Sequence, residues 1–195
     1  MKHIKKVRDF IKNAPVFGIG SISRIVGNRE YAHTLVNHLL TRGEIKRAAR
    51  GCYTNRDDVS VAVLCFKPAY LGLQNAMSIH NIWEQETIPI ILTTRKARSG
   101  IRNVAGMNVM VRRISPKYFF GYEYQDVGDL LLPVSDVEKT FIDIVYFEEM
   151  RKETADEFKG RLDMKKLKSY LKQYPEKFRK RVADFLAPSD NKIKM

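Results

Sequence analysis

Residues 28–54 carry the stretch that decides the fold of the first part of this chain, NREYAHTLVNHLLTRGEIKRAARGCYT. Asn28 is a good helix cap, because its side chain can accept a hydrogen bond from a free backbone N–H of the first turn. Apolar residues follow at the spacing of three and four that is typical of an amphipathic helix, and Gly43 ends the run. The pattern predicts a helix over residues 29–42, with Ala32, Leu35, Val36 and Leu39 on its buried face.

Two short β-strand candidates follow this helix, at residues 44–48 and 52–54. The connection Ala49-Arg50-Gly51 places a glycine where a tight hairpin requires positive φ, so the sequence predicts a basic β-hairpin. Upstream, the spacing of apolar residues predicts a helix that closes before Pro15, and a second helix capped by Ser21 and ended by Gly27. Three helices followed by a basic hairpin match the winged form of the helix-turn-helix in order and size.

The pattern changes at Asp58, where a second, mixed domain is predicted to begin. Residues 59–66 form an apolar helix or strand, 69–80 a helix, and 136–149 another helix. Strands are predicted at residues 88–94, 107–114, 119–124 and 130–134, and the tail at 151–195 is predicted to form two amphipathic helices interrupted near Pro175. The fold class is therefore α+β, with a winged helix-turn-helix over 1–57 and an α+β domain with a basic helical tail over 58–195.

The positive charge is concentrated at the two ends of the chain, whose net charge is +13. Residues 1–57 carry 12 Lys and Arg against 4 Asp and Glu, a net charge of +8. Residues 58–150 have a net charge of −2 and residues 151–195 one of +7. Such a division indicates contact with a polyanion at particular surfaces, and nucleic acid is the first candidate.

The polar face of the third predicted helix has the side chains that read a DNA groove. Arg pairs with guanine, Asn with adenine, and Thr contacts phosphate or the thymine methyl. Basic residues of the hairpin are then expected to bind backbone phosphates, which contributes affinity rather than sequence specificity. The alternative is that this polar face is an ordinary solvent-exposed helix surface that binds no DNA. The predicted DNA contacts are Arg29, His33, Thr34, Asn37, His38 and Thr41 on the helix, and Lys46, Arg47 and Arg50 on the hairpin.

No catalytic, cofactor or metal site is predicted. His33 and His38 lie on different sides of their helix, and Asp136, Glu138 and Asp143 are explained by their positions at the start and middle of one helix. Two cysteines alone cannot form a disulfide framework, and a reducing compartment is expected. Cys65 is expected in the core and Cys52 beneath the hairpin. The absence of a long apolar run and of an export signal leads us to expect a cytoplasmic protein.

Several segments of the second domain form a recognisable pattern: residues 69–80 (AYLGLQNAMSIH), 90–95 (IILTTR) and 134–143 (VSDVEKTFID), together with Gly121 after Phe119 and Phe120. In this pattern the chain resembles the AbiEi antitoxin family of type IV toxin-antitoxin systems. Upstream, residues 45–53 (IKRAARGCY) are similar to the arginine-glycine-x-tyrosine turn of that family's wing. The resemblance covers residues 14 to about 148 and leaves the tail from Arg151 unexplained.

The resemblance implies an autoregulating antitoxin. Its winged helix would repress its own operon on double-stranded operator DNA, and its second domain would neutralise a nucleotidyltransferase-like toxin. Antitoxin function is assigned to Arg95, Asp136, Glu138 and Lys139, of which Arg95 and Lys139 are expected to be exposed charges without a packing role. Two alternatives remain open: a stand-alone regulator whose second domain dimerises or senses a ligand, and a nuclease or nucleic-acid-modifying enzyme. The two halves are expected to be separable.

Overall fold

The computed structural model describes residues 3–85 and 87–187 of the chain, which has a mixed α+β fold. The N-terminal part contains the helices α1 (Ile4–Asn13), α2 (Ile19–Val26) and α3 (Arg29–Thr41), followed by the strands β1 (Lys46–Ala49) and β2 (Cys52–Thr54). The two strands pair antiparallel as a hairpin. One hydrophobic cluster holds this part together, and it includes Val7, Ile22, Leu35, Leu39 and Tyr53.

A six-stranded mixed sheet forms the centre of the rest, in the order β5-β6-β4-β3-β8-β7. Its strands are β3 (Ala69–Leu71), β4 (Ile90–Thr93), β5 (Gly100–Val104), β6 (Met107–Arg113), β7 (Tyr122–Val127) and β8 (Leu130–Ser135). Short 3₁₀ helices at Val59–Cys65 and Pro116–Tyr118 precede β3 and β7. The central strands β3 and β4 are buried throughout, because both faces of the sheet are covered.

The helices α4 (Leu73–Ile79) and α5 (Val137–Tyr146) lie against one face of the sheet. Outside them, α7 (Met164–Leu171) and α8 (Glu176–Leu186) pack against α5, and α6 (Lys152–Glu157) packs against α8. Helix α5 lies deepest and is buried from Glu138 to Val145, with Phe141 and Ile144 in one cluster and Ile142 in another. Among the described helices, none has the length and apolar character needed to cross a membrane.

Several sequence predictions differ from this architecture. Ser21 does not cap α2, which begins at Ile19 after Gly18. The helix predicted over residues 69–80 is a strand followed by a shorter helix, because Gly72 is extended and separates β3 from α4. Strand β5 was not predicted, and the tail contains three helices rather than two, although Pro175 does mark the break before α8.

The sequence analysis did not foresee a bond between Cys52 and Cys65, but the two residues form a disulfide with a Cα–Cα distance of 5.9 Å. The bond joins β2 to the end of the first 3₁₀ helix, across the boundary predicted at Asp57–Asp58. Ala48 of the hairpin also packs into the cluster that contains Val61 and Leu132 of the second part. The hairpin is thus attached to the sheet by packing and by a covalent bond.

Candidate nucleic-acid interface

Helix α3 separates its apolar and polar residues on opposite sides. Asn28 caps it, since its side-chain oxygen accepts a hydrogen bond from the Tyr31 backbone N–H at 2.8 Å. Ala32, Leu35, Val36 and Leu39 are fully buried. The predicted contact residues Arg29, His33, Thr34, Asn37 and Thr41 are all exposed, whereas His38 is half-buried. The structure therefore brings the predicted set together on one face, with His38 at its margin.

Both threonines on this face already donate their hydroxyl protons. Thr34 donates to the Glu30 carbonyl at 3.2 Å, and Thr41 donates to the Asn37 carbonyl at 3.0 Å. Their methyl groups and oxygen lone pairs remain at the surface. Arg29 and Asn37 offer free side-chain donors instead, since neither forms a side-chain hydrogen bond or ion pair with another residue in the described ranges, 3–85 and 87–187. Arginine and asparagine are also the side-chain types that pair with guanine and adenine edges.

The hairpin that follows this helix carries two exposed arginines, Arg47 and Arg50. Arg50 stands exposed in the turn, where Gly51 has a φ of 74°. Arg47 is exposed on β1 with its guanidinium carbon 5.9 Å from the centre of the Tyr53 ring. Lys46 differs from both, because its Nζ lies 2.6 Å from a carboxylate oxygen of Asp57. Arg47 and Arg50 are thus the hairpin charges available to phosphate, and Lys46 is partly neutralised.

An ion pair fixes the end of α3 to α1. Arg8 donates through Nε and Nη2 to both carboxylate oxygens of Glu44, each at 2.7 Å. Arg42 adds a contact to Glu44 at 3.1 Å. The hydrogen bonds from Arg8 hold the pKa of the Glu44 carboxyl below its usual range. Glu44 therefore has a structural partner, and the acid-x-lysine triplet at Glu44 to Lys46 does not form an open carboxylate site.

The predicted antitoxin residue Lys139 is not exposed, and that prediction is wrong. Its side chain is completely buried and forms an ion pair with Asp143, one helical turn later and equally buried. Tyr70 of β3 donates its hydroxyl to the other carboxylate oxygen of Asp143 at 2.7 Å. Burial lowers the pKa of Lys139 and raises that of Asp143, because both charged forms lose water. This arrangement belongs to the core and offers no charge to a partner.

Asp136 and Glu138 are also buried and paired. Asp136 caps α5 through the Lys139 backbone N–H at 2.8 Å and accepts the Tyr170 hydroxyl at 2.7 Å. Glu138 accepts the Asp163 backbone N–H at 2.8 Å. Lys166 of α7 contacts both carboxylates, at 3.1 and 3.2 Å. These carboxylates therefore dock α7 onto α5 and stand apart from the surface of α3.

Burial and this hydrogen bond also change the ionisation of Tyr170. Together with the bond to Asp136, burial raises the pKa of the Tyr170 hydroxyl to about 12. The hydroxyl thus remains a proton donor to Asp136 throughout the neutral range. Of the four predicted antitoxin residues, only Arg95 is exposed, and it donates to the Cys65 carbonyl at 2.8 Å.

Sequence reasoning missed the basic surface around Arg95. Residues 87–122 contain no Asp or Glu but include Arg95, Lys96, Arg98 and Arg102. The signal was visible in the sequence, but averaging the charge over residues 58–150 concealed it. Among the described residues, no three His, Cys, Asp or Glu side chains are grouped closely enough to hold a metal ion.

Comparison of the chain with protein-family models gives no match, and comparison with curated proteins gives no significant similarity.

Proposed function

We propose that this protein is a DNA-binding transcriptional regulator that contacts duplex DNA through α3 and the β1–β2 hairpin. In this proposal residues 1–57 act as a winged helix, with α3 in the major groove and the hairpin as the wing. One observation carries the proposal: the exposed face of α3 combines Arg29, His33 and Asn37, and it lies opposite a fully buried apolar face. The alternative, an ordinary solvent-exposed helix, would not explain why the following hairpin carries two exposed arginines without ion pairs among the described residues.

Duplex binding in this mode predicts a strong dependence on salt. If about four to eight phosphates are contacted, the logarithm of the association constant should fall against the logarithm of salt concentration with a slope of roughly −4 to −7. Fluorescence anisotropy with a labelled duplex, at several salt concentrations, measures this slope. A flat salt response would remove the DNA-binding proposal.

A pair of substitutions separates sequence reading from phosphate contact. Asn37→Ala should cost about 1 to 3 kcal/mol at one base pair of the operator and little on random DNA. Arg50→Ala should weaken operator and random duplexes alike, because phosphate carries no sequence information. Neither residue is buried, so circular dichroism of both variants should match the parent protein. Equal losses on both duplexes from Asn37→Ala would show that α3 is not the reader.

The wider proposal, which rests on the AbiEi resemblance, is an autorepressing antitoxin that counteracts a nucleotidyltransferase-like toxin. The burial of Lys139, Asp136 and Glu138 supports a role for them in the stability of the second domain, and Arg95 is the residue left for contact. A co-transcribed nucleotidyltransferase gene would favour this proposal over a stand-alone regulator.

The antitoxin proposal is tested by co-expressing the full chain with the product of such a neighbouring gene. The full chain should restore growth, and Arg95→Ala should reduce the protection while leaving expression and folding unchanged. A folded, well-expressed chain that gives no protection would favour the stand-alone regulator. Direct contact with the toxin, and whether the protein acts as a homodimer, are separate questions that co-purification and light scattering answer.

A further inference from the structure

The strand directions bring several chain segments to one end of the sheet. Strands β4 and β6 are parallel, and β3 and β5 run antiparallel to them. The segment before β3, the loop between β4 and β5 and the end of β6 therefore lie together. The β1–β2 hairpin lies at this end as well, because β1 contacts both β5 and the 3₁₀ helix at Val59–Cys65. We call it the hairpin end of the sheet.

Basic side chains are concentrated at this end. Lys67 precedes β3, and Arg95, Lys96 and Arg98 occupy the loop between β4 and β5; all four are exposed. Arg102 follows on β5, half-buried, with its guanidinium carbon 5.6 Å from the centre of the Phe66 ring. We call these five residues the loop surface. None of them forms an ion pair within residues 3–85 and 87–187, so their charge is not neutralised by the described part of the protein.

The loop surface is attached directly to the hairpin. Arg95 donates through Nη1 to the carbonyl of Cys65, whose sulfur is bonded to Cys52 of β2. Ala97, in the same loop, packs against the hydrophobic cluster that contains Ala48 of β1. The loop is thus held at a fixed position beside the hairpin by a hydrogen bond, a disulfide and apolar packing.

A shallow cavity of about 380 Å³ opens within the loop surface, lined by Arg98, Ser99, Gly100, Ile101 and Arg102. Arg102 donates through Nη2 to the Arg98 carbonyl at 2.6 Å, which orders this corner of the loop. Two arginines and a serine thus line one concavity, and guanidinium groups suit a phosphate ligand because they present paired N–H donors to phosphate oxygens.

We propose that the loop surface binds backbone phosphates of the same DNA duplex that α3 and the hairpin contact, and so extends the bound site onto the second part of the molecule. The proposal rests on the proposed DNA-binding function. It assigns Arg95, Lys96 and Arg98 to affinity rather than to sequence choice, because phosphate contacts carry no sequence information. It also explains why unpaired arginines occur in a part of the chain whose net charge is negative.

The test uses the full chain with Arg95→Ala, Lys96→Ala and Arg98→Ala combined. The matched control is Lys165→Ala, Lys168→Ala and Lys172→Ala, which removes the same charge from exposed positions on and just after α7. Helix α7 packs against α5, where Tyr170 reaches Asp136 after the last residue of β8, at the opposite end of the sheet. Association with a labelled mixed-sequence duplex is measured at several salt concentrations, and circular dichroism checks each fold.

The loop variant should reduce the salt slope by about two to three, since each lost phosphate contact removes about 0.9. The control should change the slope by less than about one. An unchanged slope in the loop variant, or equal changes in both variants, would overturn the proposal. If the triple variant is poorly folded, Lys96→Ala with Arg98→Ala keeps the Arg95 hydrogen bond to Cys65 and should still reduce the slope.

Two further experiments distinguish failure of this proposal from failure of the DNA-binding function, and distinguish duplex DNA from RNA as the ligand. If Arg47→Ala with Arg50→Ala weakens binding while the loop variant does not, the loop proposal fails and the DNA-binding function stands. If neither change has an effect, the DNA-binding function fails as well. Single-stranded RNA of the same length serves as the competing ligand, and a larger loss for RNA than for duplex in the loop variant would overturn the assignment to DNA.

Discussion

The hairpin end of the six-stranded sheet and the face that α5 covers treat charge in opposite ways. At the hairpin end, Arg95, Lys96 and Arg98 are exposed and form no ion pair within residues 3–85 and 87–187. Between α5 and the sheet, Lys139 and Asp143 are paired and completely buried. Charges that bind another molecule must stay hydrated and unpaired until it arrives, whereas charges that hold a fold are paired when the chain folds. Under the proposed function, the difference separates charges proposed to bind DNA from charges that stabilise the fold.

The largest expected effect comes from breaking the buried pair. Lys139→Met should lower the free energy of unfolding by about 3 to 5 kcal/mol, because the Asp143 carboxylate is then left buried without its cation. Urea unfolding followed by circular dichroism measures the change. Lys168→Met on the exposed side of α7 is the matched control and should change stability by no more than about 0.5 kcal/mol. Similar losses in both variants would contradict the distinction between buried, paired charges and exposed ones.

The double variant Lys139→Met with Asp143→Asn sharpens this prediction. Removing both charges abolishes the cost of burying them, and the asparagine oxygen can still accept the Tyr70 hydroxyl proton. The double variant should therefore be more stable than Lys139→Met alone, by about 1 to 3 kcal/mol. If the loss of stability in the double variant equals the sum of the losses from Lys139→Met and Asp143→Asn alone, the two charges do not stabilise each other.

The next effect concerns the covalent link at the hairpin end. Replacing Cys52 and Cys65 with serine should lower the free energy of unfolding by about 2 to 3 kcal/mol, as expected for the loss of a cross-link that closes a short loop. Reduction of the parent protein with a dithiol should cause a similar loss, and it should not affect the serine variant. A thiol titration of the unfolded, unreduced protein that finds two free thiols would rule out the disulfide.

The smallest effect is the pH dependence of the pair between Arg8 and Glu44. The hydrogen bonds from Arg8 lower the pKa of Glu44 in the folded state. This pair therefore stabilises the fold at pH values above the unfolded pKa of about 4.3, and the contribution is lost as the pH falls through the lower folded pKa. Glu44→Gln should make stability less sensitive to acid in that window. Equal acid sensitivity in both proteins would assign the acid response to other carboxyls.

The sequence alone was sufficient to predict the helices that have strong local signals. Helix α3 has a cap at Asn28 and a regular apolar stripe, so its position and its exposed face followed from spacing. The helix predicted over residues 136–149 likewise begins close to the start of α5, where Asp136 is the cap. Residues 69–80 were assigned wrongly, because a buried strand of three residues before Gly72 has the same composition as a helical turn.

The burial of Lys139 could not be derived from spacing. Its partner Asp143 lies one helical turn away, a spacing that can be read from the sequence, but exposed ion pairs with this spacing are common on helices. Burial depends on Tyr70, from a strand far away in sequence, and on the helices that cover α5. The disulfide was missed for a similar reason, since it depends on the hairpin packing against the sheet.

The Cys52–Cys65 bond has a further consequence for motion. It closes a ring that contains residues 53–64 and therefore includes the whole connection between the two predicted domains. Domain hinges need an open linker with few contacts across it, and this ring leaves none. We expect the oxidised protein to tumble in solution as one body, with a single rotational correlation time for α3 and for the sheet by NMR relaxation. A partner that binds the sheet would then affect α3 by reorienting the entire molecule rather than by bending it.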